Sequence, residues 1–265
     1  MQFRYRGEET DYGVYFLQSN SKFYKPVVVL GPDFNPAGYR LEYKNDIRTF
    51  AVSASHTFGD VNWAGELSTR HGQDLASSFN VDTSAATGAP PSSSEHPAYA
   101  VGNTLHMNTS VIWSIPRTVV FSEGLLTAEL AYNRVLKVTN DPQANGQAAL
   151  DPNATRDSWA LRAVFEPQFR GVGDGIDMST PIGLGWAPHG SRSMAIGPFA
   201  APVNGTGDFS LGTQISIHDQ WYVGVNYTHY IGKSAQSTDP VSGRFTYAQG
   251  LADRDFVSLS LRAAF

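Results

Sequence analysis

The sequence predicts an all-β fold, an antiparallel transmembrane β-barrel of the bacterial outer-membrane type. First, polarity alternates residue by residue through many segments, as it does where successive side chains of a strand point to opposite faces. Second, short and long connections alternate between those segments, as they do in outer-membrane barrels. Third, the 265 residues are 41% hydrophobic and only 16% charged, against a usual charged fraction of about 25%.

Eleven segments have the strand pattern: 1–6, 12–21, 38–57, 61–70, 99–114, 125–137, 157–168, 175–187, 208–218, 220–231 and 253–265. The short connections are 7–11, 58–60, 115–124, 169–174 and 218–220. The long connections are 22–37, 71–98, 138–156, 188–207 and 232–252, and they are rich in Gly, Pro, Ser, Asn and Asp. We expect residues 1–265 to form a single β-barrel domain that ends in the closing strand 253–265.

The closing strand has one apolar face and one polar face. Val257 and Leu259 alternate with Ser258 and Ser260, and the last residue is Phe265. A terminal aromatic residue on such a strand resembles the C-terminal insertion signal of outer-membrane barrels, which the barrel-assembly machinery reads. In this interpretation the apolar face contacts lipid.

The tryptophans agree with this interpretation. All five lie on the apolar phase and close to a predicted strand end, where the aromatic girdles of a membrane barrel are found. Three adjoin short connections and two adjoin long ones. They are Trp63, Trp113, Trp159, Trp186 and Trp221.

The polar positions of the alternating segments provide the candidate lumen-lining residues. They are Glu66, Arg70, His106, Asn108, Glu129, Arg162, Glu166, Asp177, Gln214, Arg254 and Arg262. Two interpretations stay open: a polar lumen that screens what passes, or mutually paired charges that fill a plugged interior. The Ala-, Ser-, Thr- and Pro-rich loop 71–98 is expected to be mobile, either as an exposed tip or as a gate folded into the pore.

Several function classes are excluded or disfavoured. The absence of Cys excludes disulfides and thiolate metal sites, and a net charge of −5 argues against a nucleic-acid partner. The sequence contains no run of about 18 apolar residues, so no membrane-spanning helix is predicted. It also contains no nucleotide-binding or zinc-binding motif, so no cofactor or metal is predicted. His106 and Ser110 share a strand about 13 Å apart, too far for a nucleophile and its base, so we expect no enzyme.

Three features strain a simple barrel. The first and last segments run in the same direction, so they cannot pair in antiparallel fashion, and the odd number of segments departs from the even strand numbers of bacterial barrels. No signal peptide follows Met1. We therefore expect an N-terminally truncated part of a larger barrel. Pro181 lies inside a predicted strand and is expected to mark a bulge or register shift. Arg134 falls on the apolar phase, where its head group is expected to snorkel outward.

Four segments resemble a proteobacterial family catalogued as domain of unknown function number 1302. They are G-Y-R-L-E-Y-K-N-D-I-R-T-F-A-V-S (38–53), G-E-L-S-T-R-H-G-Q-D-L (65–75), D-Y-G-V-Y-F (11–16) and L-A-D-R-D-F-V-S-L-S-L (251–261). The resemblance implies the C-terminal half of an outer-membrane barrel in contact with lipid and lipopolysaccharide. It further implies a periplasmic lipid-carrier-like protein and an inner-membrane transporter of the resistance-nodulation-division type as partners.

The role that the resemblance implies is passage of hydrophobic or lipid-like molecules across the outer membrane. The alternatives are a general diffusion porin for small polar solutes, a barrel hydrolase, and a structural barrel without a conduit.

Overall fold

The computed structural model describes residues 1–78, 80–144, 146–189, 205–236, 238–244 and 246–264. Within these ranges the chain forms seventeen strands and one four-residue helix, so the all-β prediction is confirmed. The predicted insertion signal, Phe265, lies outside the described residues. No helix in the ranges given is both long enough and apolar enough to cross a bilayer.

The elements follow one another as β1 (Gln2–Arg6), β2 (Thr10–Ser19), β3 (Lys25–Leu30), β4 (Pro36–Glu42), β5 (Ile47–Phe58), β6 (Val61–Asp74), β7 (Val81–Asp82), α1 (Ser84–Thr87), β8 (Val101–Ile115), β9 (Glu123–Asn140), β10 (Gln143–Ala144), β11 (Gln147–Ala148), β12 (Asp157–Gly173), β13 (Ile176–Ser179), β14 (Ile182–His189), β15 (Gly207–Ile217), β16 (Trp221–Ile231) and β17 (Phe256–Ala263).

Twelve of these strands form one antiparallel sheet. Its order is β1-β2-β5-β6-β8-β9-β12-β13-β15-β16-β17, and β14 continues the position of β13 between β12 and β15. The eleven positions match the eleven predicted segments. Neighbours in the sheet follow each other along the chain, so each pair needs only one connection.

Short and long connections alternate as predicted. Short turns join β1 to β2, β5 to β6, β8 to β9, β12 to β13 and β15 to β16. Because neighbouring strands are antiparallel, all of these turns lie at one end of the sheet, which we call the turn end. The long connections lie at the opposite end, which we call the loop end. Gly59 and Gly175 adopt positive φ in two of the short turns, a conformation that costs glycine little.

The prediction of one strand over 38–57 is wrong. Residues 36–42 form β4, which pairs with β3 in a hairpin, and only β5 enters the main sheet. Between them Asp46 has a φ of 60°, which breaks the extended backbone. β7, from the second long connection, adds to β3 in parallel, so the first two long connections together form a separate three-stranded sheet.

Pro181 interrupts its strand without the predicted bulge or register shift. β13 ends at Ser179 and β14 begins at Ile182. Ser179 lies opposite Gln168 and Ile182 lies opposite Phe165, so both strands advance by three residues across the break. The bulges of β12 lie elsewhere, at 159–161 and 169–173.

The buried core lies among the long connections. One apolar cluster contains Val27, Ala98, Tyr99 and Val101, and a second is built on Leu75, Ala100 and Val135. We call segments 20–46, 75–100 and 141–156 together the cap. The expectation that loop 71–98 is mobile is wrong in one respect, because Leu75 is fully buried and this loop packs against the rest of the cap.

The two edges of the main sheet run in the same direction. Both β1 and β17 run from the loop end toward the turn end, so they cannot pair with each other in antiparallel fashion. Among the residues that the structure describes, no pairing joins them. Closure of the sheet into a barrel therefore stays a prediction.

Candidate functional site

One face of the main sheet carries the predicted lumen residues. Residues directly opposite each other on neighbouring strands share a face: Glu66 lies opposite Asn108, and Glu129 lies opposite both Ser110 and Arg162. Continued around the sheet, the register gathers ten of the eleven candidates on this polar face. They are Glu66, Arg70, His106, Asn108, Glu129, Arg162, Glu166, Asp177, Gln214 and Arg262.

Arg254 is the exception. It lies ahead of β17, outside the sheet, where its backbone N–H donates to the carbonyl of Leu251 at 2.9 Å. Its side chain is 70% exposed and lies 3.8 Å from that of Asp253. The period-2 pattern was extended three residues too far at this point, so Arg254 belongs to the loop end of the molecule rather than to the polar face.

The opposite face, which we call the apolar face, carries all five tryptophans. Large apolar side chains on it are open: Phe16 is 52% exposed, Val225 46% and Leu259 75%. The indole N–H of Trp63 donates to Thr109 Oγ1 at 2.8 Å, which satisfies its polar atom on an otherwise apolar surface. A continuous apolar face without a second layer over it is unusual for a protein in water.

Arg134 lies on the apolar face at the loop end, as predicted, but it is paired. Its guanidinium lies 2.9 Å from the carboxylate of Asp157, directly across the β9–β12 ladder. The hydroxyl of Tyr132 donates to the same carboxylate at 3.4 Å. The charge is therefore neutralised locally.

About half of the charges of the polar face are paired, including Arg6 and Asp11 at 3.8 Å. Arg162 lies 3.5 Å from Asp208, and Arg170 bridges Glu123 at 2.6 Å and Asp177 at 3.0 Å. Other predicted charges have no ion-pair partner within 4.0 Å in the described ranges; they are Glu66, Arg70, Glu129, Glu166 and Arg262. Unpaired charges are stable where water solvates them, so this pattern favours a hydrated face over a plug of ion pairs.

Two open cavities lie along the polar face. One of about 430 Å³ is lined by Arg4, Tyr15, Glu66 and Asn108, among others. The second, of about 450 Å³, lies among the strands from β12 to β17. There the Arg262 guanidinium sits 4.1 Å from the centre of the Tyr222 ring, a cation–π contact.

Sequence reasoning missed two arginines at these cavities. Arg4 lies in the first segment, which is too short for its alternation to show which residues lie on the polar face. Arg170 lies beyond the predicted end of strand 157–168, although β12 continues to Gly173. A strand model that continued the alternation through 169–173 would have placed Arg170 on the polar phase.

In the described residues the polar partners of His106 are Thr104 and Gln73 rather than Ser110. Its Nε2 lies 2.9 Å from Thr104 Oγ1 and 3.2 Å from Gln73 Oε1, and Asn108 donates to Glu129 at 2.5 Å. No hydrogen bond in the described part of the chain joins His106 to Ser110. Over the same part, no group of three or more His, Asp and Glu residues is placed to hold a metal ion.

The cap packs onto the loop end of the polar face. Val135 lies opposite Thr104 on that face, and it packs with Leu75 and Ala100. Val138 and Leu150 pack against the same cluster. Residues 75–100 and 141–156 therefore fold inward over the polar face rather than away from it.

Buried polar contacts tie the cap together. Lys25 Nζ lies 3.2 Å from Asp74 Oδ2 and donates to the carbonyl of Leu75 at 2.8 Å. The hydroxyl of Tyr247, in the connection between β16 and β17, donates to the fully buried carboxylate of Asp151. Four of the five long connections are thereby linked to one another.

Asp82 is a charged group at the centre of the cap. Burial alone would raise the pKa of its carboxyl. The backbone N–H groups of Ser84 and Ser92 donate to it at 2.9 and 3.0 Å, and Arg40 forms an ion pair with it. These bonds and the Arg40 charge together hold the pKa of Asp82 below its usual value.

Comparisons with known proteins identify a family. A family model described as "Protein of unknown function (DUF1302)" matches residues 1–265, which confirms the resemblance found in the sequence. No curated protein matches. Among solved structures, "OmpT (in-vitro folded), an outer membrane protein Vibrio cholerae (trimer form)" matches at 10% identity and a TM-score of 0.39, covering 99% of this chain and 79% of that chain.

Proposed function

This chain belongs to the family described as Protein of unknown function (DUF1302), and we propose that it forms an outer-membrane β-barrel whose polar face lines a hydrated, porin-like conduit. The observation that carries the proposal is the contrast between the two faces of one sheet. One face exposes large apolar side chains, and the other carries charged side chains, some in ion pairs and others, such as Glu66 and Glu129, without an ion-pair partner in the described ranges. A bilayer outside and water inside would satisfy both faces.

Closure completes the proposal. The sheet has eleven positions with parallel-running edges, so antiparallel closure requires an odd number of further strands between β17 and β1. The resulting even total is the rule for bacterial single-chain barrels. We propose that such strands complete the barrel around the polar face.

The lipid-facing assignment is tested by one matched pair of variants. Val225 lies mid-strand on the apolar face, and its neighbour Asn226 lies on the polar face. We expect Val225→Arg to lower the free energy of unfolding in lipid vesicles by about 2–4 kcal/mol, the cost of Arg near the bilayer midplane. Asn226→Arg should cost far less because its side chain faces water. Equal costs would contradict the assignment of the faces.

The conduit is tested by conductance and ion selectivity in planar bilayers. Glu66 and Glu129 lie near each other on the polar face, with Asn108 between them. We expect the full-length protein to conduct ions, and the variant Glu66→Gln/Glu129→Gln to shift its reversal potential toward anions because two carboxylates are lost. Glu95→Gln, on an exposed part of the cap, is the control. Folded protein without conductance would refute the hydrated conduit.

The second candidate function is passage of hydrophobic or lipid-like molecules. The resemblance noted in the sequence supports it, since that resemblance implies apolar cargo; the cluster of Leu75, Ala100 and Val135 is buried and packs the cap onto the polar face. The partners proposed with this role are outer-membrane lipid and lipopolysaccharide, the barrel-assembly machinery, a periplasmic lipid-carrier-like protein and an inner-membrane transporter. No catalytic step is proposed for either role. Transfer of a lipid-like probe by reconstituted protein, absent from protein-free vesicles, tests it.

A further inference from the structure

Two prolines weaken the sheet at one place. Pro167 lies inside β12, and Pro181 lies between β13 and β14, the next position in the sheet. Proline has no backbone N–H and is rarely found in central strands for that reason. Here both prolines lie well inside the sheet, several positions from either edge strand.

The two prolines remove one ladder bond on each side of the same strand. The N–H of Gly212 donates to the carbonyl of Pro181 at 2.8 Å, and the N–H of Thr180 donates to the carbonyl of Pro167 at 3.0 Å. In an antiparallel ladder such pairs normally exchange two bonds. The return bonds from Pro181 and Pro167 cannot form, so each pair keeps only one.

We call residues 165–168, 179–182 and 211–214 the seam. Register shifts at residues 159–161 and 169–173 of β12 flank it, and the strand is interrupted at 180–181, between β13 and β14. On the apolar face the seam presents Phe165, Ile182 and Leu211. On the polar face it adjoins the cavity of about 450 Å³ that Glu166 and Gln214 help to line.

We propose that the barrel opens laterally at the seam, and that molecules with a hydrocarbon tail pass there between the polar face and the bilayer. This inference rests on the proposed membrane conduit and adds a route and a substrate class to it. A continuous ladder resists opening because every broken backbone bond leaves polar groups in hydrocarbon. On each side of the strand at the seam one of those bonds is absent from the start, so opening on either side breaks fewer of them than in an uninterrupted ladder of the same length.

Cysteine pairs test the route directly, since the chain contains no Cys of its own. Phe165→Cys/Ile182→Cys spans one side of the seam, and Ile182→Cys/Leu211→Cys spans the other. Ile215→Cys/Val223→Cys spans the uninterrupted β15–β16 ladder and is the control. Directly opposite residues lie about 4.5–5.5 Å apart between Cα atoms, within the range of disulfides.

The assay uses the full-length protein in vesicles whose outer leaflet is lipopolysaccharide. The probe is a fluorescent amphiphile with a sulfonate head, which crosses protein-free bilayers slowly, and ion conductance is recorded on the same samples. We expect oxidation of at least one seam pair to lower protein-dependent probe transfer about tenfold, equivalent to about 1.4 kcal/mol. Reduction should restore transfer, and conductance should be unchanged.

A second variant does not depend on cross-linking. Pro167→Ala/Pro181→Ala supplies one absent N–H donor on each side of the strand, and we expect it to lower probe transfer about threefold to tenfold, since one restored hydrogen bond on the side that opens suffices for such a change. The inference is overturned if both seam cross-links and the double alanine variant leave transfer at the wild-type level while conductance persists. Wild-type protein that folds but does not conduct would instead refute the proposed conduit.

Discussion

The buried ion pair of the cap allows a stability prediction with a stated magnitude. Lys25 and Asp74 lie 3.2 Å apart, with side chains only 2% and 10% exposed. Lys25→Met removes the ammonium and leaves the Asp74 carboxylate buried without this partner. Breaking a buried pair in this way costs about 3–5 kcal/mol, because the remaining charge is uncompensated.

We expect most of that cost to appear as local opening of the cap. Each 1.4 kcal/mol is a factor of ten in an equilibrium constant, so amide exchange in the cap should accelerate about 100- to 1000-fold. The amide of Asp151, which donates to the carbonyl of Ala76 at 2.9 Å, reports on the cap. The amide of Val225, in the β15–β16 ladder, reports on the main sheet and should be unaffected.

Hydrogen exchange read by mass spectrometry or NMR in micelles measures both. Lys22→Met, which removes the same charge from an exposed position in the same connection, is the matched control. Lys25→Met/Asp74→Leu should recover much of the loss, since neither charge is then left buried alone. Cap exchange in Lys25→Met within about threefold of wild type would refute the reasoning, because such a change is far below the cost of an unpaired buried charge.

Two further predictions concern the cap and the loop end of the main sheet beside it. The lowered pKa of Asp82 contributes stability that is present above its unfolded pKa and lost as the pH falls through its folded pKa. Protection of the Ser92 amide, taken as its exchange rate relative to the intrinsic rate at the same pH, should therefore decrease as the pH falls below about 4, the ordinary value for Asp, and protection that does not change with pH would contradict this. A Cβ at Gly102 would lie 2.5 Å from the carbonyl oxygen of Lys137, whereas one at Gly38 meets nothing within 4 Å. Gly102→Ala should lower the free energy of unfolding, measured by denaturant titration, by more than about 1 kcal/mol, and Gly38→Ala should not.

The main sheet could be predicted because its signal is local. Alternation along a single strand identifies its faces, and the polar phase found this way agrees with the register for all candidates except Arg254. Trp63 and Trp221 could likewise be assigned to the apolar face from their neighbours alone. The prediction exceeded its information where a strand begins, since Asp253 and Arg254 show the alternation although β17 starts only at Phe256.

The cap could not be predicted because its signal is not local. Residues 25–30 form a short apolar run that periodicity alone cannot assign, and they become β3 only by pairing with 36–42 and 81–82. Composition marked loop 71–98 as mobile, yet Leu75 is buried by Ala100 and Val135 from other segments. Lys25 meets the carbonyl of Leu75 from 50 residues away, and no pattern within either segment indicates that contact.

The linked cap also sets an order of events during assembly. Its hydrogen bonds join residues that are far apart in the chain. One of them links Asp151 of the cap to Tyr247, 96 residues away. Closing loops of that length is entropically costly until other contacts have already brought their ends together. The paired strands of the sheet do this, so we expect the cap to form after them. A protease site within the cap would then distinguish finished molecules from those stalled during insertion, because only the finished ones would resist cleavage.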